Sequence, residues 1–256
     1  MSEREVLRSP DEAALVASTA GMLTARLVER QADAGIVHLV LTGGGVGTAL
    51  LAELATPPFR DAVDWSRVEV WWGDERFLAT DDPERNETAA RVALLDEVPV
   101  EPARVHPIDG PDRAASAEAS AAAYADLLAA RAPDGRATPA FDVVLLGIGP
   151  DGHVASLFPE MPAVHVVDRS VVAVHGAPKP PATRVTMTFP ALNAARDVLV
   201  LAAGREKSDA VRLACDASAG PLQVPASGVH GIERTIFCVD EDAAARLPTT
   251  MGRPVA

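Results

Sequence analysis

The segment Phe141-Asp142-Val143-Val144-Leu145-Leu146-Gly147-Ile148 is apolar at nearly every position. A strand with one wet face alternates polar and apolar residues; a run without alternation reads as a strand buried on both faces. It leads straight into a glycine-rich turn, Gly149-Pro150-Asp151-Gly152-His153. Such a strand needs a layer above and a layer below, which the crossover helices of a parallel sheet supply.

The rest of the chain repeats strand and helix patterns. Ser9-Pro10-Asp11-Glu12 predicts a helix start, with Ser9 as cap, Pro10 in the first position and Glu12 completing a capping box. That helix carries Leu15, Leu23 and Leu27 and stops at Gly35. A β-rich run from Ile36 to Leu41, a glycine loop and a helical stretch from Thr48 to Ala55 follow. Val68 to Trp72 is a strand, and a helix runs from about Glu87 to Glu97. The alanine-rich region from Asp112 to Arg131 places Tyr124, Leu127 and Leu128 on one helical face, which predicts a docked helix. Arg131 to Ala140 is a surface loop. Further strands are predicted at Val171–Val174, Arg184–Phe189, Val198–Ala202 and Thr235–Val239, with a helix from Gly204 to Cys215 and a short helix after the last strand. The sum is α/β: a mainly parallel sheet with helices on both faces. No break in composition and no internal repeat divides the chain, so a single domain over 1–256 is expected, with short flexible tails at 1–8 and 248–256.

Charge narrows the partners. Lys plus Arg number 23 and Asp plus Glu 36, a net charge of −13. Nucleic acid and anionic membranes want clustered cations, so neither is expected as a partner. Cys215 and Cys238 form no CxxC pair and fit a reducing compartment. The charged start Met1-Ser2-Glu3-Arg4-Glu5 leads into no apolar h-region, and no run approaches the roughly 20 apolar residues of a membrane span. A cytoplasmic protein is expected.

Ligands of open parallel sheets bind beyond the carboxyl ends of the strands, so the loops there carry the functional reading. Thr42-Gly43-Gly44-Gly45-Val46-Gly47 is either an anion cradle before a helix or a tight turn; it has neither the Gly-Lys-Ser/Thr of a P-loop nor the third glycine of GxGxxG. In Gly73-Asp74-Glu75-Arg76, Arg76 suits a bidentate phosphate contact, and Asp74 suits either substrate hydroxyls or a structural pair. The tryptophans just upstream, Trp65, Trp71 and Trp72, are read as core. Gly147 to Gly152 spells GxGxxG, but no long helix can follow before Pro159 and Pro162. What remains is a carboxylate and an imidazole at a strand end, and imidazole suits proton transfer near pH 7. His106, beside a proline, and His38, inside a strand, are placed less well. In Gly204-Arg205-Glu206-Lys207 two cations open a helix against its dipole, which either a bound anion or simple solvation accommodates; Lys207 is the better anion ligand.

Together these loops resemble the 6-phosphogluconolactonases, within the superfamily shared with glucosamine-6-phosphate isomerases. The resemblance also uses Asn86, Val154-Ala155-Ser156-Leu157-Phe158-Pro159, Arg184 to Asn193 and Pro225-Ala226-Ser227, and spans nearly the whole chain. It implies a modified Rossmann-like fold and hydrolysis of 6-phospho-D-glucono-1,5-lactone to 6-phosphogluconate, with no metal or organic cofactor. The partner is then a small phosphorylated sugar lactone, bound by a monomer or weak homo-oligomer. By the same resemblance His153 is the general base, and Arg76 and Lys207, with the Gly43 and Gly44 amides, hold the phosphate; Asp151 and Asp74 are further catalytic candidates, and Thr42 and Arg184 further candidates for substrate binding. Asp151 either orients the imidazole or caps a short helix after it. The isomerase branch continues from Asp-Gly-His to a Glu before a proline, whereas this chain reads Ser156-Leu157-Phe158-Pro159. A sugar-phosphate isomerase or deaminase on the same fold, and a non-catalytic sugar-phosphate sensor, are the competing readings. Thr42 in place of Ser keeps a hydroxyl, and Arg85 adds a charge beside Asn86 where a small polar residue is expected.

Overall fold

The computed structural model describes residues 4–216, 219–248 and 250–254. Its strands and α-helices in chain order are β1 (Arg4–Ser9), α1 (Glu12–Ala34), β2 (Val37–Leu41), α2 (Gly45–Leu54), α3 (Phe59–Ala62), β3 (Val68–Trp72), β4 (Asp74–Arg76), α4 (Asn86–Ala90), α5 (Ala117–Ala130), β5 (Val143–Gly147), β6 (Val171–Val174), β7 (Arg184–Met187), α6 (Phe189–Leu192), β8 (Asp197–Ala202), α7 (Ser208–Cys215), β9 (Arg234–Asp240) and β10 (Arg253–Pro254).

Seven strands pair in the order β10-β1-β9-β8-β5-β2-β3, every pairing parallel. The helix-flanked parallel sheet predicted from the sequence is thus present. At its centre β5 keeps Val143, Val144, Leu145 and Leu146 within 1 % of complete burial, as its unbroken apolar run requires. Trp65, Trp71 and Trp72 are core residues.

A second sheet departs from the prediction. β4, β7 and β6 pair antiparallel in that order. β6 has its predicted bounds, β7 ends two residues early at Met187, and neither joins the parallel sheet. No α-helix separates them, so the chain reverses rather than crossing over. Asp74–Arg76, read from sequence as a loop, is the third strand. Gly73 joins the two sheets through its backbone: its N–H donates to Leu41 O (3.2 Å) and its carbonyl accepts from Met187 N (2.8 Å).

Smaller differences have local causes. The cap of α1 is Asp11, which accepts from Ala14 N at 2.8 Å, because Ser9 is still paired in β1. Gly35 ends α1 as expected, at φ 81°. Residues 4–8 are not a tail: they belong to β1, between β9 and β10. α2 starts at Gly45, three residues early, and the helix predicted near Glu87–Glu97 is α4 followed by a π-turn over Arg91–Leu95. α5 is capped by Ser116 and docks as predicted, with Tyr124 and Leu128 buried. The Tyr124 hydroxyl accepts from Trp72 N at 3.0 Å. The short helix expected after the last strand is a series of turns. Among the described residues no helix is long and apolar enough to cross a membrane.

Candidate active site

Strand alternation builds one wall of a cavity of about 250 Å³. Asp74 and Arg76 of β4 line it, while Glu75 between them is buried beneath, 1 % exposed. Arg184 on β7, the strand paired with β4, lines the same wall. The ends of β2, β5 and β8 supply most of the rest: Thr42, Gly43 and Gly44, then Gly147 to Gly149 with His153, then Lys207; Asn86, Lys179 and Pro180 come from other segments. Every residue predicted for the site therefore borders this one space except Asp151, which stands behind His153.

The glycine loop is fixed by contacts at both ends. The Thr42 hydroxyl accepts from Gly147 N at 3.2 Å, linking the ends of β2 and β5. At Gly43 a Cβ would lie 1.9 Å from Asn86 Oδ1, so no larger residue fits. Gly44, at φ 83°, precedes the first turn of α2, whose N–H groups have no capping side chain.

The histidine turn closes on itself: Gly149 N donates to His153 O and Gly152 N to Gly149 O, both at 2.9 Å. No helix follows, only the bridges Ile148–Val154 and Val154–Leu157, so the GxGxxG spelling has no dinucleotide geometry. Asp151 accordingly caps nothing. Its Oδ1 meets His153 Nδ1 at 2.5 Å, which leaves Nε2 as the ring nitrogen available to the cavity. Burial works to raise the Asp151 pKa, but the contacts with His153 outweigh it and hold the carboxyl down at about 2. The imidazole packs on Phe158, centroids 4.6 Å apart. A Cβ on Gly149 would stand 2.0 Å from His153 Nδ1, so this glycine is what lets the pair lie against the backbone.

Asp74 is 6 % exposed and held from two sides. Ser156 Oγ–H donates to its Oδ2 at 2.6 Å, and Asn86 Nδ2 donates to its carbonyl at 2.9 Å and lies 3.4 Å from Oδ1.

The cations differ in what else they bind. Arg76 donates through Nη1 to Glu84 O, and its buried Nε has no hydrogen-bond partner in the structure. Arg184 holds the loop before it, through Nε to Pro181 O (3.1 Å) and Nη2 to Lys179 O (3.2 Å) and Pro180 O (3.1 Å). Burial lowers the Arg184 pKa, against the pull of Asp74. Burial also lowers that of Lys207, and Lys179 lowers it further. Arg205 turns away to Asp242, 3.8 Å distant. Of the two cations that open the segment before α7, only Lys207 serves the cavity.

Two polar side chains that line the cavity, Asn86 and Lys179, are outside the predicted set. Asn86 was noticed only through the resemblance. Lys179 lies in a proline-rich loop after a strand outside the parallel sheet, where the strand-end rule does not look. His38 and His106 lie elsewhere, flanking Trp71; His106 contacts Glu69. Among the described residues no group of three or more His, Cys, Asp or Glu is arranged to hold a metal.

Residues 10–237 match the family model described as glucosamine-6-phosphate isomerases/6-phosphogluconolactonase. The 6-phosphogluconolactonase of Streptomyces coelicolor is 50 % identical over 251 residues, 96 % of this chain and 95 % of that one. That of Mycobacterium tuberculosis is 45 % identical over 243 residues, covering 94 % and 97 %. In three dimensions the 6-phosphogluconolactonase of Trypanosoma brucei superposes with a TM-score of 0.83 at 28 % identity, covering 97 % of this chain and all of that one. A monomeric glucosamine-6-phosphate deaminase shares the fold, with a TM-score of 0.78 at 21 % identity and coverage of 94 % and 99 %.

Proposed function

The chain belongs to the glucosamine-6-phosphate isomerase/6-phosphogluconolactonase family, and within it we propose a lactonase that works through His153 as general base. The enzyme hydrolyses 6-phospho-D-glucono-1,5-lactone to 6-phospho-D-gluconate, in the oxidative pentose phosphate pathway. One observation carries the mechanism: His153 shares its cavity with Arg76, Arg184 and Lys207.

The 6-phosphate docks on the Thr42–Gly44 loop with Arg76, Arg184 and Lys207. This remote anchor sets lactone C1 against His153. Neutral His153 takes a proton from water through Nε2 as the water attacks C1. The tetrahedral oxyanion at C1 accepts a hydrogen bond from a backbone N–H at the rim of the cavity, outside the closed histidine turn. The C1–ring oxygen bond then breaks, and the imidazolium returns its proton to the departing oxygen. Asp151 keeps the Nδ1 proton in place throughout and steadies the imidazolium. Asp74, steadied by Ser156 and Asn86, accepts from a sugar hydroxyl. Side chains and backbone N–H groups supply every step, without metal or organic cofactor. We place the reaction in the cytoplasm, in a monomer or weak homo-oligomer that binds neither nucleic acid nor membrane.

Isomerisation has less support. Ser156, in the segment where the isomerases carry their Glu, is fully buried and occupied with Asp74, and positions 154–158 contain no carboxylate. The test is freshly generated lactone, with product formation measured above the spontaneous background. A folded His153→Ala variant should lose roughly 10²–10⁴ in kcat; near-normal turnover would remove His153 from the role.

A further inference from the structure

The cavity residues of β4 and α4 depend on one buried side chain that never reaches the cavity. α4 opens at Asn86, and the residue at its cap, Arg85, offers no side-chain acceptor to the first turn. Those N–H groups need partners. Glu75 supplies them: Oε1 accepts from Asn86 N and from Arg76 N, and Oε2 from Glu87 N, each at 2.8 Å. Arg85, itself 1 % exposed, approaches the same carboxylate at 3.8 Å. The guanidinium is anchored through Nη1 to Leu78 O (2.9 Å) and through Nη2 to Ile108 O (2.6 Å) and Glu87 Oε2 (2.9 Å). The extra charge beside Asn86 is thus a buried counter-ion.

Asn86 turns this clamp toward the chemistry. Its Oδ1 lies where a Cβ on Gly43 would be, and its Nδ2 donates to the Asp74 carbonyl. Asn86 therefore bridges the phosphate loop and the acidic wall, and Glu75 fixes where it starts. We propose that Glu75 is a positioning residue for lactone hydrolysis, acting through Asn86 to hold Asp74 and the Gly43 loop in register. The proposal rests on the lactonase reading. Burial pushes the Glu75 carboxyl up to about 7, while Arg85 and the three backbone donors pull it down. An amide has one acceptor oxygen, so a glutamine would set its own N–H₂ against a backbone N–H.

The experiment is a double-mutant cycle in kcat/KM, with Glu75→Gln, Asn86→Ala and the pair, in the full chain. Each single variant should lose roughly 10- to 100-fold. The loss should divide between kcat, through Asp74, and KM, through the Gly43 loop and Arg76, whose backbone N–H donates to Glu75. In the Asn86→Ala background, Glu75→Gln should change little, as expected for residues acting in series. Full activity in a folded Glu75→Gln variant, or fully multiplicative losses, would overturn the proposal. If Glu75→Gln does not fold, Asn86→Ala decides alone, since normal kcat there breaks the link. The wild-type chain is assayed first on fresh lactone: no turnover above background sinks the lactonase reading and this proposal with it, whereas wild-type turnover with unaffected variants sinks the positioning role only.

Discussion

Asp151 Oδ1 and His153 Nδ1, two residues apart on one tight turn, meet at 2.5 Å. The contact fixes which imidazole nitrogen faces the cavity. Replacing Asp151 with Ala should leave a folded enzyme whose kcat falls roughly 10- to 100-fold, with KM nearly unchanged. Steady-state kinetics on fresh lactone decide it; unchanged kcat would show that the imidazole needs no partner.

The same pair makes Gly149 indispensable. In Gly149→Ala the new Cβ would fall 2.0 Å from His153 Nδ1 and 2.4 Å from Asp151 Oδ1, so the ring must leave its place. Activity should drop as far as in His153→Ala, although no functional group is lost. A Gly149→Ala enzyme with more than about a tenth of wild-type kcat would contradict the geometry, on the scale of a lost general base.

Lys207 and Lys179 both face the cavity, and Lys179 disfavours protonation of Lys207. A phosphate bound between them, as proposed, would relieve that repulsion. Lys207→Ala should raise KM about 10- to 100-fold, the range of one or two hydrogen bonds to a charged group. Lys179→Ala should raise it less, because this residue adds to a site already built. Both effects should shrink with added salt. An unchanged KM for Lys207→Ala would remove the phosphate from this end of the cavity.

The Asp151 carboxyl, at about 2 against an ordinary 3.8, binds its proton less readily in the folded protein. Its contribution to stability is therefore complete above about pH 4 and is lost as pH falls toward 2. Urea midpoints at pH 5 and pH 2.5 should fall further for wild type than for Asp151→Asn. Equal falls would mean that the Asp151–His153 contact adds nothing to stability.

Burial pushes the Cys215 thiol up to about 11 and the Cys238 thiol to about 12. Thiolate is then scarce at pH 8. Iodoacetamide should label both residues within minutes in denaturant and neither in the folded protein. Rapid labelling of the native state would refute the packing described around them.

Much of the parallel sheet is legible in the chain because both-face burial leaves a direct mark: β3 has its predicted bounds, β8 differs by one residue and β5 by a few. Pairing partners leave no such mark. Arg184–Met187 reads as a strand, but nothing local tells that it pairs with Asp74–Arg76 rather than with the main sheet. The glycine loops and His153 are legible as candidates because such folds bind ligands at strand ends, and they border one cavity. Asn86 and Lys179 escaped the residue-level reading because their relevance comes from distant contacts, with Gly43 and Asp74 for one and with Arg184 for the other. The role of Gly149 had the same origin: a glycine inside a glycine-rich turn looks permissive until a side chain is seen to occupy its missing Cβ.

Gly73 is bonded to Leu41 on one side and Met187 on the other, so the phase of β4 is set at that single residue. Residues 74 and 76 face the cavity and 75 faces inward only because the count starts there. Sequence drift in this family can therefore exchange side chains around the joint far more easily than it can change the chain's length. One inserted or deleted residue beside Gly73 would drive Asp74 and Arg76 into the interior and present Glu75 to the substrate. Length variation between relatives should be absent at this joint and should collect instead in loops such as 131–140, where no catalytic count is kept.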